Sequence, residues 1–502
     1  MHTNTLRQLG LALLMASLPI LSSAAGKFKM TTPIPPEITT PDTVITRIGT
    51  LKFTDGLPDD ATVAKVYDNL NFLRGVESFL NGVPGASMVA IRQGFHDLGA
   101  ENGTIGIFET LMDSRSLFLT GNTESVYAMT WMNLKNGPMV VESAPNTLGI
   151  VNDFWFRYVT DMGNAGPDRG KGGKYLFLPP DFQGEIPSGY HVFKSPTYNN
   201  VLVWRGFMVK DDPRPAVANL KQHLRVYSLS EAASPPANTF INLSGRPVNT
   251  IHANDFKFYE EINQIVQEEP AAAMDPERLG LFASIGIIKG QPFAPDARMR
   301  KTLTEAAAVA NATARAILYS TRDKQANYYP NSNWRIPFVG GSHEFLQDGA
   351  RLLDARTMFH YCATMVTPAM TMKMVGAGSQ YAFNDRDAQG RHFDGAKTYR
   401  LRMPPDAPVK NFWSLVVYDS QTRSMLQTDQ AYPSIGTQRP DLQQNPDGSV
   451  DVYFGPKAPA GKESNWVQTV PGKSWNVLLR LYGPLQPWFD KSWRPGEFEL
   501  MK

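Results

Sequence analysis

The sequence predicts an α+β protein of several domains, in which two antiparallel, sandwich-like β domains flank a helical segment. Two stretches, residues 102–209 and 379–482, consist of short strand patterns separated by Pro, Gly, Asn and Asp, which is typical of sandwiches. The stretch between them has apolar residues at helical spacing. At 502 residues the chain is also too long for one ordinary core. We expect a signal peptide at 1–25, an extended arm at 26–60, helices plus a β-rich domain at 61–212, a mainly helical segment at 213–375 and a β-sandwich domain at 376–502.

The N-terminus has the pattern of a cleavable secretory signal peptide. Arg7 supplies a positive charge, Leu9–Leu21 is an apolar run, and small residues precede a cleavage point before Gly26. The apolar run is shorter than the roughly 20 residues that cross a bilayer. We therefore expect a periplasmic or secreted protein with no transmembrane span in the mature chain.

The first β-rich block follows two predicted helices, Ala61–Leu80 and Ala86–Leu98, whose apolar residues recur at three- and four-residue spacing. Turn residues such as those at Gly137-Pro138 separate its strands. The predicted strands are Val126–Leu134, Met139–Glu142, Lys174–Leu178, Tyr190–Phe193 and Val201–Val209.

The helical segment and the last domain are distinguished by the spacing of their apolar residues. Asp275 followed by Pro276 is an N-cap with proline at the first helical position. The predicted helices are Ala216–Leu229, Asp255–Glu268, one starting at Asp275, Ala297–Ser320 and Gly349–Thr367. In the last domain alternate residues of each run share a face, which is the strand period. Its predicted strands are Tyr399–Met403, Phe412–Tyr418, Val450–Phe454 and Trp475–Tyr482.

Composition excludes some classes of function. Lys+Arg 49 against Asp+Glu 47 gives a net charge of +2 with interspersed signs, so the chain lacks the basic footprint of a nucleic-acid binder. Cys362 is the only cysteine, so no intrachain disulfide forms, and its apolar surroundings in the sequence predict a buried, inert thiol.

Two parts of the chain resemble known families. Residues 122–184 resemble the domain of unknown function 1254, through Asn122-Thr123-Glu124-Ser125-Val126-Tyr127, Trp131, Gly137-Pro138, Pro145, Gly173-Lys174-Tyr175 and Pro179-Pro180-Asp181-Phe182-Gln183-Gly184. The C-terminal part resembles the domain of unknown function 1214, through Gly390, Gly395, Tyr399, Leu401, Phe412-Trp413-Ser414, Tyr418, Asp447-Gly448-Ser449, Asn465-Trp466, Pro471-Gly472, Arg480 and Tyr482. The resemblance implies exported or envelope-associated bacterial proteins with β-rich domains flanking helices, and it implies no particular reaction. Glu124 stands where the family pattern has an aspartate.

The common catalytic and metal motifs are incomplete. The sequence has no Gly-x-Ser-x-Gly elbow, and His343-Glu344-Phe345-Leu346-Gln347 ends in Gln where a zinc protease has its second histidine. Asp385–Gly390 has the alternating oxygen ligands of a Ca²⁺ loop, but Ala396 stands at its twelfth position, so a hairpin turn is the alternative. His343, His360 and His392 are candidate metal ligands if they converge. The sequence therefore identifies no cofactor. A divalent metal is an open alternative, but no motif indicates one.

The sharper candidate site is polar and aromatic. Aromatic platforms with Asn, Glu and Arg suit a hydroxylated or anionic ligand, through stacking and fixed hydrogen bonds. The candidate ligand-binding residues are Asn122, Tyr127, Tyr418, Asn465, Trp466, Arg480 and Tyr482. The structural alternative is that Asn122 caps a turn and that Arg480 pairs with an inward acid.

These observations leave three hypotheses for function. The first is an exported protein that binds a small polar or carbohydrate-like ligand in a cleft between domains. The second is a hydrolase with Glu124 or Asp385 as a general base, with or without a metal. The third is a structural envelope protein that assembles through exposed sheet faces, and a homo-oligomer is open in every case. A perturbed carboxylate in a pocket favours the enzyme, an aromatic pocket without one favours the binder, and an apolar patch without a pocket favours the scaffold.

Overall fold

The computed structural model describes residues 29–502, so the predicted signal peptide lies outside the described residues. The chain divides into two compact units, one ending at Tyr67 and the other covering Asp68–Lys502. The first contains a three-stranded antiparallel sheet of β1 (Thr43–Thr46), β2 (Gly49–Thr54) and β3 (Leu57–Pro58). This sheet lies in the predicted arm because Asp55 and Gly56, with φ of 51° and 83°, form the tight Asp-Gly turn that joins two strands.

One helix, α1 (Asp60–Leu98), replaces the two helices predicted around Pro84. Asp59 Oδ1 caps it by accepting a hydrogen bond of 2.7 Å from the Thr62 backbone N–H. Beyond Pro84 the helix continues because this part of it is buried, and a Cβ on Gly82 would lie only 2.7 Å from Ile262 Cδ1. Such close packing stabilises the helix against the cost of the missing backbone donor.

The N-terminal β domain follows α1. Its elements are β4 (Thr104–Ile107), β5 (Ser116–Leu117), β6 (Ser125–Asn133), β7 (Met139–Ser143), β8 (Thr147–Asp153), β9 (Tyr158–Gly163), β10 (Gly173–Leu178), β11 (His191–Lys194), β12 (Asn199–Phe207), α2 (Arg214–His223), β13 (Arg225–Ser228), β14 (Thr239–Asn242) and β15 (Val248–Asn249). One sheet has the order β14-β4-β6-β12-β8-β9 and the other β11-β10-β7-β13. Val126, Val141 and Leu202 belong to the core that the two sheets share. Helix α2 is shorter than predicted because Arg225–Ser228 pairs with β7 instead.

The middle of the chain is mainly helical, as predicted. Its elements are α3 (Lys257–Glu268), α4 (Pro276–Ala283), α5 (Ala297–Tyr319), β16 (Leu346–Gln347), β17 (Ala350–Arg351) and α6 (Leu353–Cys362). Asp275 accepts hydrogen bonds from the backbone of Glu277 and Arg278 at 3.0 and 3.2 Å, which confirms the predicted start of α4. Helix α6 is shorter than the predicted Gly349–Thr367, because the small hairpin β16–β17 occupies the beginning of that stretch.

The C-terminal domain is a second sandwich-like pair of sheets. Its elements are β18 (Ser379–Asn384), β19 (Tyr399–Met403), β20 (Val409–Asp419), β21 (Ser434–Gly436), β22 (Val450–Gly455), β23 (Trp466–Gln468), β24 (Trp475–Pro484), α7 (Gln486–Phe489) and β25 (Glu499–Leu500). The sheets have the orders β18-β24-β20-β21 and β23-β22-β19-β25. All four strands predicted here are confirmed, and the alternate residues Trp475, Val477, Leu479 and Leu481 lie in the sandwich core.

The second faces of two sheets meet the helices. Tyr127 and Val203 of the N-terminal domain and Tyr418 and Leu478 of the C-terminal domain belong to the same buried cluster as residues of α1, α3, α5 and α6. The α+β architecture with two β-rich domains is therefore confirmed, and the space between the two sheets is where a cleft forms. Within residues 29–502, no helix is both long and apolar enough to cross a membrane.

Candidate functional site

A cavity of about 90 Å³ lies between the inner faces of the two β domains and the helical segment. Strands β6, β8 and β12 line it from one side, β18, β20 and β24 from the other, and α5 and α6 complete the wall. Most of the wall is apolar, with side chains such as Leu148, Val203 and Phe338. Among the described residues that line it, no Asp or Glu is present, but four are arginines: Arg205, Arg335, Arg423 and Arg480. We call this space the inner cavity.

Arg423 differs from the other three arginines because both terminal nitrogens of its guanidinium are buried without an acceptor among the described residues. Its side chain is 3% exposed, and neither Nη1 nor Nη2 has a hydrogen-bond acceptor within the described chain. The guanidinium carbon lies 3.9 Å from the ring centre of Tyr361. The residue follows β20 in a tight turn with φ of 66°, where its backbone N–H donates to Asp419 O at 2.7 Å. Burial lowers the pKa of Arg423, as expected for a cation without a counter-ion.

Arg480 closes the interface between the two β domains. From β24, its Nη2 donates to Thr120 O at 2.7 Å and to Tyr418 Oη at 2.8 Å. The Tyr418 hydroxyl in turn donates to Gly121 O at 2.7 Å, and burial raises the pKa of Tyr418 to about 12. Both C-terminal residues therefore hold the loop that leads into β6, and Arg480 donates to hydroxyl and carbonyl oxygens, not to an acid.

Asn122 and Tyr482 form a second link between the domains. Asn122 Oδ1 accepts from the Glu124 backbone N–H at 2.6 Å, and this leaves Nδ2 to donate to Tyr482 Oη, also at 2.6 Å. Glu124 Oε1 accepts from the Thr123 hydroxyl at 2.6 Å. Glu124 Oε2 is buried without a hydrogen-bond partner.

An outer cleft of about 520 Å³ adjoins the inner cavity. Arg205 and Tyr381 line both spaces and so form the neck between them. Arg205 is 8% exposed, and among the described residues no carboxylate lies within salt-bridge distance of it. Glu124 and Tyr482 line the outer cleft as well. The neck thus presents a guanidinium without a salt bridge to both spaces, although it is near enough to Asp161 of the outer cleft to lower the pKa of that acid.

Asp161 is a lining residue that the sequence reasoning missed. It lies in β9, a strand that the sequence analysis did not predict, and it lines the outer cleft. Burial raises the pKa of Asp161 to about 6, although Oδ2 accepts a hydrogen bond of 2.7 Å from the Thr367 hydroxyl, which lowers it. A carboxyl group that titrates near neutral pH can both donate and accept a proton. Its only signal in the sequence was a single acidic residue in the otherwise uncharged stretch Tyr158–Gly163.

Two of the predicted ligand residues lie elsewhere in the C-terminal domain. Asn465 accepts from the Gln443 backbone N–H at 2.8 Å and donates to the carbonyl oxygens of Gln443 and Asp451. Trp466 Nε1 donates to Gly455 O at 2.8 Å. Neither residue lines the inner cavity or the outer cleft, and Asn122 also lies outside both lining sets. Tyr127, Tyr418 and Arg480 line the inner cavity, and Tyr482 lines the outer cleft.

Asp385 and the three candidate histidines line neither the inner cavity nor the outer cleft. Asp385 is paired with Arg335, and its Oδ2 lies 3.2 Å from His392 Nδ1. His343 packs edge-on against Tyr158, and His360 is buried among aromatic rings. In residues 29–502 no three His, Cys, Asp or Glu side chains are grouped to hold a metal ion, so these histidines do not share a site.

The segment considered as a Ca²⁺ loop forms a tight turn. Asp387 Oδ1 accepts from the backbone N–H groups of Gln389 and Arg391 at 3.0 and 2.9 Å. Gly390 has a φ of 76°, a conformation that glycine adopts without strain. The carboxylate thus holds the turn together. Cys362 lines the inner cavity, and burial raises the pKa of its thiol to about 12, which keeps it protonated.

Comparisons with known proteins agree with this organisation. Residues 103–228 match the family model "Protein of unknown function (DUF1254)", and residues 378–486 match "Protein of unknown function (DUF1214)". These matches confirm the two resemblances and their order along the chain. The comparison with curated proteins gave no match.

Two solved structures align with most of this chain. The crystal structure of the VPA0106 protein from Vibrio parahaemolyticus aligns with a TM-score of 0.52 at 18% identity, over 85% of this chain and 100% of that one. The crystal structure of a putative uncharacterized protein from Burkholderia cenocepacia aligns with a TM-score of 0.37 at 10% identity, over 87% of this chain and 96% of that one. The first likeness shows a shared fold.

Proposed function

We propose that this chain, which carries a DUF1254 region followed by a DUF1214 region, is an exported protein. It binds a small organic anion between its two β domains. The anionic group enters the inner cavity, and the remainder of the ligand lies in the outer cleft. Export rests on the signal peptide predicted at residues 1–25.

The observation that carries this proposal is the buried, unpaired guanidinium of Arg423. Burying a charge without a partner is costly, and such groups persist mainly where function requires them. Two free nitrogens of a guanidinium form a fork that fits the two oxygens of a carboxylate. With Arg205 at the neck and no acid in the wall, an anion would be the natural counter-ion of this cavity.

The size and polarity of the two spaces limit the ligand. An apolar cavity of roughly 150 Å³ holds a benzene molecule, so the inner cavity of about 90 Å³ accepts an acid group with only a few carbon atoms. Its apolar wall and its arginines favour a carboxylate over the carbohydrate that the sequence also suggested. The larger outer cleft has room for the rest of the molecule.

The test is thermal shift and calorimetry of the mature protein with matched ligand pairs. Caproate and benzoate are compared with caproamide and benzamide, which have the same shape without the charge. A ligand at 100 times its dissociation constant adds about 2.7 kcal/mol to the free energy of unfolding. We expect stabilisation by an acid and none by its amide.

A pair of variants tests whether the acid binds at Arg423. Arg423→Met removes the guanidinium but keeps an apolar side chain of similar length, and we expect it to abolish the shift. Arg214→Met is the control, because the Arg214 side chain is 87% exposed and lies outside both lining sets. Equal binding by the two variants, or no binding of any acid by the wild type, would overturn the proposal.

Asp161 supports a second candidate, a hydrolase that acts in the same cleft. Its carboxyl group has the pKa of about 6 that suits a general acid or base, and it lines the outer cleft beside the Arg205 neck. The measurement is release of product from a panel of chromogenic esters and glycosides, with wild type and Asp161→Asn. Turnover that depends on Asp161 and falls below pH 6 would favour this candidate, because a general base must be ionised.

A further inference from the structure

Two buried oxygen atoms without hydrogen-bond donors lie in the wall of the outer cleft. They are Glu124 Oε2 and Gln438 Oε1. The Glu124 side chain is 8% exposed, and among the described residues no Lys, Arg or His lies within salt-bridge distance of it. An unpaired buried acceptor costs free energy in the same way as an unpaired donor.

These two acceptors are not among the residues that line the inner cavity. Glu124 and Gln438 line both the outer cleft and an adjoining pocket of about 400 Å³, to which Thr123 and Ser434 also belong. Arg205 and Tyr381, in contrast, line the outer cleft and the inner cavity. The cleft therefore presents the Arg205 guanidinium at its junction with the inner cavity and an acceptor wall, formed by Glu124 and Gln438, at its junction with the adjoining pocket.

Hydrogen bonds fix the acceptor wall. The Glu124 backbone donates to Asn122 Oδ1, and Glu124 Oε1 is occupied by the Thr123 hydroxyl, so the carboxylate is held with Oε2 as its free oxygen. Both a carboxylate oxygen and an amide oxygen accept only from donors, and a cationic donor gives the strongest such bond. The group that matches both oxygens is an ammonium group.

We propose that Glu124 and Gln438 form an acceptor subsite for an ammonium group at the end of the ligand opposite its carboxylate. The ligand class is then an amino acid whose amine and carboxylate are separated by a short chain, or a small peptide. The inference rests on the proposed function, because the carboxylate must be held at the arginines for the amine to reach Glu124.

The experiment compares three probes of one chain length by calorimetry: caproate, ε-hydroxycaproate and ε-aminocaproate. We expect ε-aminocaproate to bind wild type about tenfold more tightly than caproate, the gain that a charge-assisted hydrogen bond gives. In Glu124→Gln the ratio of the affinities for ε-aminocaproate and caproate should fall to about one. Glu305→Gln, whose side chain is 61% exposed on α5, is the matched control and should keep the advantage.

The outcomes separate the two proposals. If no probe binds wild type, the proposed anion site fails. If caproate binds and ε-aminocaproate binds no better, or keeps its advantage in Glu124→Gln, only the ammonium subsite fails. If ε-hydroxycaproate binds about tenfold more tightly than caproate and ε-aminocaproate does not, the subsite binds a hydroxyl group. The assignment to an amine is then overturned.

Discussion

Asn122 Nδ2 donates a hydrogen bond of 2.6 Å to Tyr482 Oη, and this single contact joins residues 360 positions apart in the chain. It links the loop that enters β6 of the N-terminal domain to β24, the last long strand of the C-terminal domain. Both side chains are buried, with Asn122 0% and Tyr482 4% exposed. The cleft depends on such links for its shape.

Removing this bond should destabilise the protein. Tyr482→Phe leaves Asn122 Nδ2 buried without an acceptor, which costs about 1–3 kcal/mol. Urea unfolding followed by tryptophan fluorescence measures the change. Tyr67→Phe, at a tyrosine that is 59% exposed, should change the free energy of unfolding by less than about 0.5 kcal/mol. Equal effects of the two variants would show that the bond does not contribute.

Arg423→Met should stabilise the unliganded protein. The wild type buries two guanidinium nitrogens without acceptors, and relieving such a cost is worth about 1–3 kcal/mol. Loss of the contact with Tyr361 subtracts part of this gain. The midpoint of thermal unfolding should therefore rise even as acid binding is lost. A fall of several degrees would mean that Arg423 holds the fold together and is not reserved for a ligand.

Asp161 should make stability fall as pH rises. Its pKa is about 6 in the folded protein and about 3.9 in the unfolded chain. The folded state therefore binds more protons between these values, and the stabilisation present below pH 4 is lost by pH 6. The loss is about 3 kcal/mol at 1.36 kcal/mol per pKa unit.

Urea unfolding at a series of pH values measures this effect. In Asp161→Asn the decline between pH 4 and 6 should be smaller by about that amount. Glu261 and Glu269, whose pKa values burial also raises, leave part of the decline in place at higher pH. Asp441→Asn, at an exposed acid paired with Arg439, should keep the wild-type profile.

Asn465→Ala should separate stability from binding. The side chain makes three hydrogen bonds to the backbone of Gln443 and Asp451, and its loss leaves buried groups unpaired at a cost of roughly 2–3 kcal/mol. Because Asn465 lies outside the inner cavity and the outer cleft, the affinity for caproate should stay within about twofold of wild type. A large loss of affinity in a folded variant would return Asn465 to the site.

The sequence by itself determined the α+β class, the order of the two β-rich blocks around the helices, and all four strands predicted in the last domain. These features depend on local patterns, alternation of side chains and turn residues, which a single stretch of chain carries. Polar and aromatic residues at strand ends, such as Asn122, Tyr418 and Arg480, were also accessible from the sequence. Their role in ligand binding stays a prediction.

Only the tertiary structure decided which residues share the cleft and which of them lack partners. Asp161, Arg205 and Arg423 have no common motif, and they come together because two sheet faces pack against the same helices. The continuity of α1 through Pro84 was decided in the same way, by packing of the helix against its neighbours. Burial and the absence of a counter-ion belong to the assembled fold, since desolvation depends on every group that surrounds a charge.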